Sequence, residues 1–288
     1  MTYTDHYMGA QEHSITNRSF LNYHRYVPYE YIKYDLIDQT AADRIETFYN
    51  FFVEQNKQIG FIKQSMLKKN SCGLWITTTD DTFTEDLYYH PYHAFDYRAI
   101  DIASFYSMFG KQEPQLLTTI RNEKIDVGIE GVSLSTTGDV LKYIMLFRPV
   151  SNIIELLNLP ESEKLQKFVD LNFAELKAGE ASAPDSFKSP IRVQFDSDDD
   201  TISVEFVSAF YQKELYLSGG NYDSYLGRKQ KYFDRMAECD LLDSDEIQYC
   251  KEKSPSWQQF SVKFKWKGGI MVDKKLYTFD VVDFERVV

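Results

Sequence analysis

Residues 258–282 read QQFSVKFKWKGGIMVDKKLYTFDVV, and their alternation decides the fold. Phe260, Val262, Phe264 and Trp266 fall on one side of an extended chain, and Ser261, Lys263, Lys265 and Lys267 on the other. That is the period of two a β-strand imposes. Lys267-Gly268-Gly269 interrupts the run with the residues a tight hairpin turn favours, and a second extended run follows. The stretch is therefore a β-hairpin with an apolar face and a cationic face.

Working outward, the pattern recurs. Ile125–Phe147 holds two extended runs around Thr136-Thr137-Gly138-Asp139, and Ile191–Tyr211 two more around Asp196–Asp200. The hairpins begin near residues 125, 191 and 258, so they are spaced by about 66 residues, a period that reads as an internal repeat. One further step back reaches Ile59, where IGFIKQSML, a KKNS turn and CGLWITTT suggest a weaker fourth hairpin over 59–79. The expected hairpins lie near 59–79, 125–148, 191–211 and 258–283.

Helical periodicity fills the gaps. Tyr97–Phe109 and Gln115–Glu123 precede the second hairpin, Val150–Ala178 the third and Tyr222–Lys253 the fourth. An Asp243-Ser244-Asp245-Glu246 start signal splits the last segment into two helices. The expectation is an α+β protein of repeated α-α-β-β units, one domain over 1–288. Its antiparallel strands would close into a barrel with the helices outside and a polar lumen. The apolar faces must meet the helices, because those are the only amphipathic partners.

Composition narrows the function. The 288 residues carry 44 acidic against 32 basic side chains, a formal charge of −12, which excludes a duplex-coating protein and gives no expectation of nucleic acid. No apolar run reaches the roughly 18 residues of a membrane span. MTYTDHYMGAQEHS lacks the n- and h-regions of a signal peptide, and Cys72, Cys239 and Cys250 do not form a disulfide framework. A cytoplasmic monomer is expected. Against that acidic background, cations recur on the polar strand faces: Lys142, Arg148, Arg192, Lys263, Lys265 and Lys275. Clustered cations in an acidic chain suggest an anion site of phosphate or diphosphate type. A solvated sheet face is the plain alternative. Asp196–Asp200 reads as a hairpin turn rather than a calcium loop, and His90-Pro91-Tyr92-His93 as a turn rather than a zinc site.

An α-α-β-β repeat with a cation-bearing polar face resembles the ABBA (PT-barrel) aromatic prenyltransferases, most closely the cyanobactin peptide prenyltransferases. Two stretches carry the resemblance. In IDVGIEGVSLSTTGDVLKYIMLFRP, Lys142 and Arg148 occupy the two cation places of that branch. In the final hairpin, Lys275-Leu276-Tyr277 gives its Lys-x-Tyr spacing. The sequence departs from the pattern at Ile144, Glu205 and Leu74, and only four hairpins are visible where the family has five. A fifth would be short and hidden in Tyr26–Asp38, or absent.

The resemblance implies transfer of a dimethylallyl or geranyl group from its diphosphate to a nucleophilic side chain of a peptide, with Mg²⁺ accompanying the diphosphate. Lys142, Arg148, Arg192, Lys263, Lys265 and Lys275 would hold the diphosphate, and Tyr277 and Tyr211 would shield the allylic cation. Glu205 or Glu130 would take the acceptor's proton, with an ion pair to a nearby cation as the alternative role. No residue is assigned as a metal ligand. Lys275→Ala is expected to leave stability almost unchanged, as for a lysine facing water and other cations. Other readings are an ABBA prenyltransferase acting on a small aromatic molecule and a non-enzymatic acidic α+β binding module.

Overall fold

Gly268 and Gly269 both adopt positive φ, +56° and +76°, and Lys267 pairs with Ile270 across them. Two consecutive left-handed residues are what a two-residue hairpin loop requires, and glycine takes them without a Cβ penalty. The turn joins β9 (Phe260–Lys267) to β10 (Ile270–Phe279). A bulge between Met271 and Asp273 then shifts the register by one residue. The structure, a computed structural model, describes residues 9–28, 39–59, 72–78, 83–89, 102–108, 110–122, 127–135, 141–147, 153–179, 191–196, 200–208, 222–254 and 260–279. The protein is α+β, with an antiparallel, curled sheet. Among the described residues no helix is long and apolar enough to cross a membrane.

The chain divides into two compact units, Met1–Leu21, Phe147–Arg192 and Ser203–Val288 forming one, Asn22–Leu146 and Val193–Ile202 the other. In the first, β1 (Gly9–Ser14) pairs with β10, β10 with β9, and β9 lies beside β8 (Thr201–Val207). Its helices are α4 (Ile153–Leu157), α5 (Ser162–Gly179), α6 (Tyr222–Glu238) and α7 (Ser244–Lys253). The second unit holds most of β2 (Ser19–Pro28), then β3 (Cys72–Thr78), β4 (Phe83–Tyr89), β5 (Val127–Ser135) and β6 (Leu141–Phe147), with consecutive strands adjacent. Its helices are α1 (Gln39–Ile59), α2 (Ile102–Met108) and α3 (Gln115–Asn122). β7 (Ile191–Asp196) begins in the first unit and ends in the second.

The apolar strand faces of the first unit meet helices, as the alternation requires. Phe260 stacks on Phe233 at 5.2 Å and meets Tyr232 edge-on at 5.1 Å, both from α6. Phe206 meets Phe168 of α5 at 4.8 Å, and the Tyr232 hydroxyl donates to the Phe206 carbonyl. Trp266 is buried, and its Nε1 donates to Glu161 at 2.5 Å, so the indole's one polar atom is satisfied. The start signal at 243 forms a complete capping box. Asp243 accepts from the Asp245 and Glu246 amides while Glu246 accepts from the Asp243 amide. Glu246 also pairs with Lys274 at 2.8 Å, tying α7 to the outer side of β10.

One expectation is corrected. The hairpin placed over 59–79 is not there: Ile59 ends α1, and Cys72–Thr78 pairs instead with Phe83–Tyr89 on one side and with β2 on the other. Residues 60–71, which carry the rest of IGFIKQSML and the KKNS turn, lie outside the described residues. Phe83–Tyr89 is too polar at Thr84, Glu85 and Asp86 to have stood out. Of the Tyr26–Asp38 stretch considered for a further strand pair, Tyr26–Pro28 ends β2 and residues 29–38 lie outside the described residues. Two earlier strands exist, β1 and β2, joined by a turn in which the Arg18 amide bonds to the Ile15 carbonyl. GAQEHS escaped detection because both its faces are polar.

Candidate functional site

Strand register places a set of polar side chains on the side of the first unit's sheet that faces away from the helices. Glu12 of β1 stands opposite Tyr277 of β10, and Ser14 opposite Lys275. Across the other edge of β10, Lys275 stands opposite Lys263, Tyr277 opposite Ser261 and Asp273 opposite Lys265. Directly opposed residues share a face, so these side chains line one surface. On β8, Glu205 joins them: it accepts from the Ser261 hydroxyl at 2.5 Å and from Arg192 of β7 at 2.9 Å.

This surface is not a solvated sheet face. Glu12 is 3% exposed, Ser261 0% and Ser203, two residues from Glu205, 1%. Exposure rises in order along β9, from buried Ser261 through half-buried Lys263 and Lys265 to exposed Lys267. The site therefore has a deep end at Glu205, Ser261 and Tyr277, and an open end at the β9–β10 turn.

Burying charge is costly unless each group is paired. Lys275 Nζ lies 2.6 Å from Glu12 and 3.3 Å from Asp273. Burial works against its charge, but Glu12 and then Asp273 outweigh burial and hold the ammonium's pKa above its ordinary value. Burial likewise pushes the Glu205 carboxyl up. Arg192 and Lys263, with hydrogen bonds from Ser261 and Arg192, outweigh it and hold the group below the ordinary glutamate range. Tyr277 is the reverse case. Burial, then the charges of Glu12, Glu205 and Asp273 and a hydrogen bond to Glu12, keep its phenol protonated far into alkali. The Lys263 ammonium lies 5.8 Å from the Tyr277 ring centroid, within cation–π range. Four cations (Arg192, Lys263, Lys265, Lys275) thus share one buried face with three carboxylates (Glu12, Glu205, Asp273).

Of the residues expected from sequence, Arg192, Glu205, Lys263, Lys265, Lys275 and Tyr277 come together here. Arg148 and Tyr211 lie outside the described residues, as do the side chains of Lys142 and Glu130, although β5 and β6 themselves are described. The premise of the Lys275 expectation is corrected. The ammonium stands opposite Lys263 but is paired with Glu12 and Asp273, so its removal is expected to cost stability. Sequence reasoning also missed Glu12 and Asp273. Asp273 had a signal, because it shares the odd-numbered positions of Lys275 and Tyr277. Glu12 had none, because nothing in GAQEHS marks a strand.

Mg²⁺ is a hard cation that takes oxygen ligands in near-octahedral geometry. The described residues contain no group of three His, Cys, Asp or Glu side chains placed to hold a metal ion. The two carboxylates that converge, Glu12 and Asp273, converge on the Lys275 ammonium, which already supplies the positive charge. The described side chains therefore do not fit a protein-held Mg²⁺. No protein-family model matches the chain, and no characterised protein matches it significantly in sequence.

Proposed function

We propose that the protein is a prenyltransferase of the ABBA type. In this reading the α-α-β-β units close one barrel domain over 1–288, and the buried polar face is part of its lumen. The protein works as a cytoplasmic monomer, and the donor is dimethylallyl or geranyl diphosphate, bringing any Mg²⁺ as its own counter-ion. The acceptor is a nucleophilic side chain of a peptide, or a small aromatic molecule. One observation carries the reading: cations, carboxylates and a protonated phenol from five strands meet on the buried side of the sheet opposite the helices.

The chemistry assigns roles. The allylic C–O bond breaks, the diphosphate leaves with the bonding pair, and a C–C or C–heteroatom bond forms to the acceptor. Lys263, Lys265, Lys275 and Arg192 would stabilise the leaving diphosphate through charge-assisted hydrogen bonds, joined by Lys142 and Arg148. The Tyr277 ring, which has an ammonium within cation–π range, would stabilise the allylic cation in the same manner, and Tyr211 would add a second shield. Exclusion of water at the deep end would protect that cation. Glu205, or Glu130, would take the acceptor's proton. A carboxylate held below its ordinary range is a weak base, which suits a proton lost after bond formation, when the adduct is strongly acidic.

The ion pairs favour a second reading, a non-enzymatic acidic α+β module. If Arg192 and Lys275 serve only to neutralise Glu205 and Glu12, the face is structural. Mass spectrometry of peptide mixtures and small aromatics incubated with each donor separates the two. Prenylated product that depends on Lys275 supports transfer, and its absence with both donors rejects it.

A further inference from the structure

Asp273 occupies an unusual place on the polar face. It stands directly opposite Lys265, its carboxylate lies 3.3 Å from Lys275, and Lys275 in turn stands opposite Lys263. An anionic side chain is thus set among three lysines, at the end of the face that opens toward the turn. Glu12, the other carboxylate on Lys275, differs in each respect: it is 2.6 Å away, and its side chain is 4% exposed against 27% for Asp273. The bulge between Met271 and Asp273 lies immediately before Asp273, so its backbone departs from the regular ladder where a bulge re-aims a side chain.

We propose that Asp273 is a built-in placeholder for an oxyanion. Its carboxylate holds the lysine cluster until an incoming diphosphate displaces it from Lys275, whereas Glu12 stays and fixes Lys275 and Tyr277. This rests only on the diphosphate-binding part of the reading above, not on prenyl transfer. The electrostatics follow from position. A weak, partly hydrated contact at the open end costs little to break, and a short, desolvated one at the closed side costs much. Removing the placeholder's charge should therefore strengthen anion binding. Removing the anchor's equal charge should weaken it, because Lys275 and the Tyr277 phenol lose their fixed partner. Simple loss of negative charge would strengthen binding in both cases, so the opposite signs are the diagnostic.

The test is calorimetric titration of the full chain with inorganic pyrophosphate and, separately, with dimethylallyl diphosphate. Asp273→Asn should tighten pyrophosphate binding about three- to tenfold, Glu12→Gln should weaken it by about as much, and exposed Asp245→Asn should leave it unchanged. Equal tightening by Asp273→Asn and Glu12→Gln, unchanged or weaker binding by Asp273→Asn, or no binding of either ligand by any form would overturn the proposal. If near-ultraviolet dichroism shows that Asp273→Asn does not fold, Asp273→Ser is read by the same criteria. Pyrophosphate binding with these signs but no prenylated product would remove the prenyl reading and leave the placeholder standing. The same signs with dimethylallyl diphosphate alone would restrict the site to alkyl diphosphates.

Discussion

Lys263 and Phe264 are neighbours on β9 and point to opposite sides of it. Phe264 is buried at 6.3 Å from Phe206 and 6.2 Å from Trp266, on the side that meets the helices. Lys263 is half-buried beside Tyr277, among ion pairs. Both sides of the strand are withdrawn from water, but by different means. On the helix side, burial itself stabilises, because apolar surface leaves water. On the other side, burial destabilises each charge, and pairing offsets the cost without a large surplus. A face that costs this much to bury adds little to stability, which is why the polar side is the candidate site.

The largest expected effect lies on the helix side. Phe264→Ala should remove about 3–5 kcal/mol from the unfolding free energy, read from urea melts, through lost transfer energy and a residual cavity. A loss near 1 kcal/mol would mean that this side is loosely packed and would erase the contrast. Next comes Lys275→Ala on the polar side. It leaves Glu12 buried without its closest cation and should cost about 2–3 kcal/mol. If the face binds a diphosphate, donor-dependent kcat/KM should also fall about ten- to a hundredfold. Lost stability with unchanged kinetics would make the lysine purely structural.

Glu205→Gln sharpens the comparison through pH. The folded Glu205 carboxyl titrates below its unfolded value. Its contribution to stability is therefore present above the ordinary glutamate pKa and lost as pH falls through the lower, folded one. The wild-type urea midpoint should drop as the solution is acidified through and below about pH 4.3, and Glu205→Gln should flatten that drop. Lys275 has the opposite sign: with its folded pKa raised, its contribution holds below the ordinary lysine value and is lost as pH rises through the folded one. In turnover assays Glu205→Gln should lower kcat far more than it changes the donor Kd, because a proton acceptor acts on the adduct and not on the diphosphate.

The smallest effect belongs to a site that touches neither face of β9. Asp243→Ala removes the side-chain half of the α7 capping box and should cost about 1 kcal/mol in the same melts, with anion binding unchanged.

The sequence by itself determined the elements whose chemistry is local. The Phe260/Lys263 alternation, the Gly268-Gly269 turn and the Asp243–Glu246 cap each act within a few residues. Each is found where the pattern placed it, because a strand's period, a turn's dihedrals and a helix's unpaired amides leave few alternatives. Strands with two polar faces, such as Gly9–Ser14, carry no such local signature. Only the tertiary structure decided that Glu12 would lie against Lys275 and that Glu205 would be bound by Arg192 and Ser261. Glu12 and Lys275, and Ser261 and Glu205, lie far apart in sequence and only strand register brings them together, whereas Arg192 and Glu205 lie 13 residues apart on the adjacent strands β7 and β8. Charge pairing in a buried site depends on distance and desolvation, and neither exists until the sheet has formed.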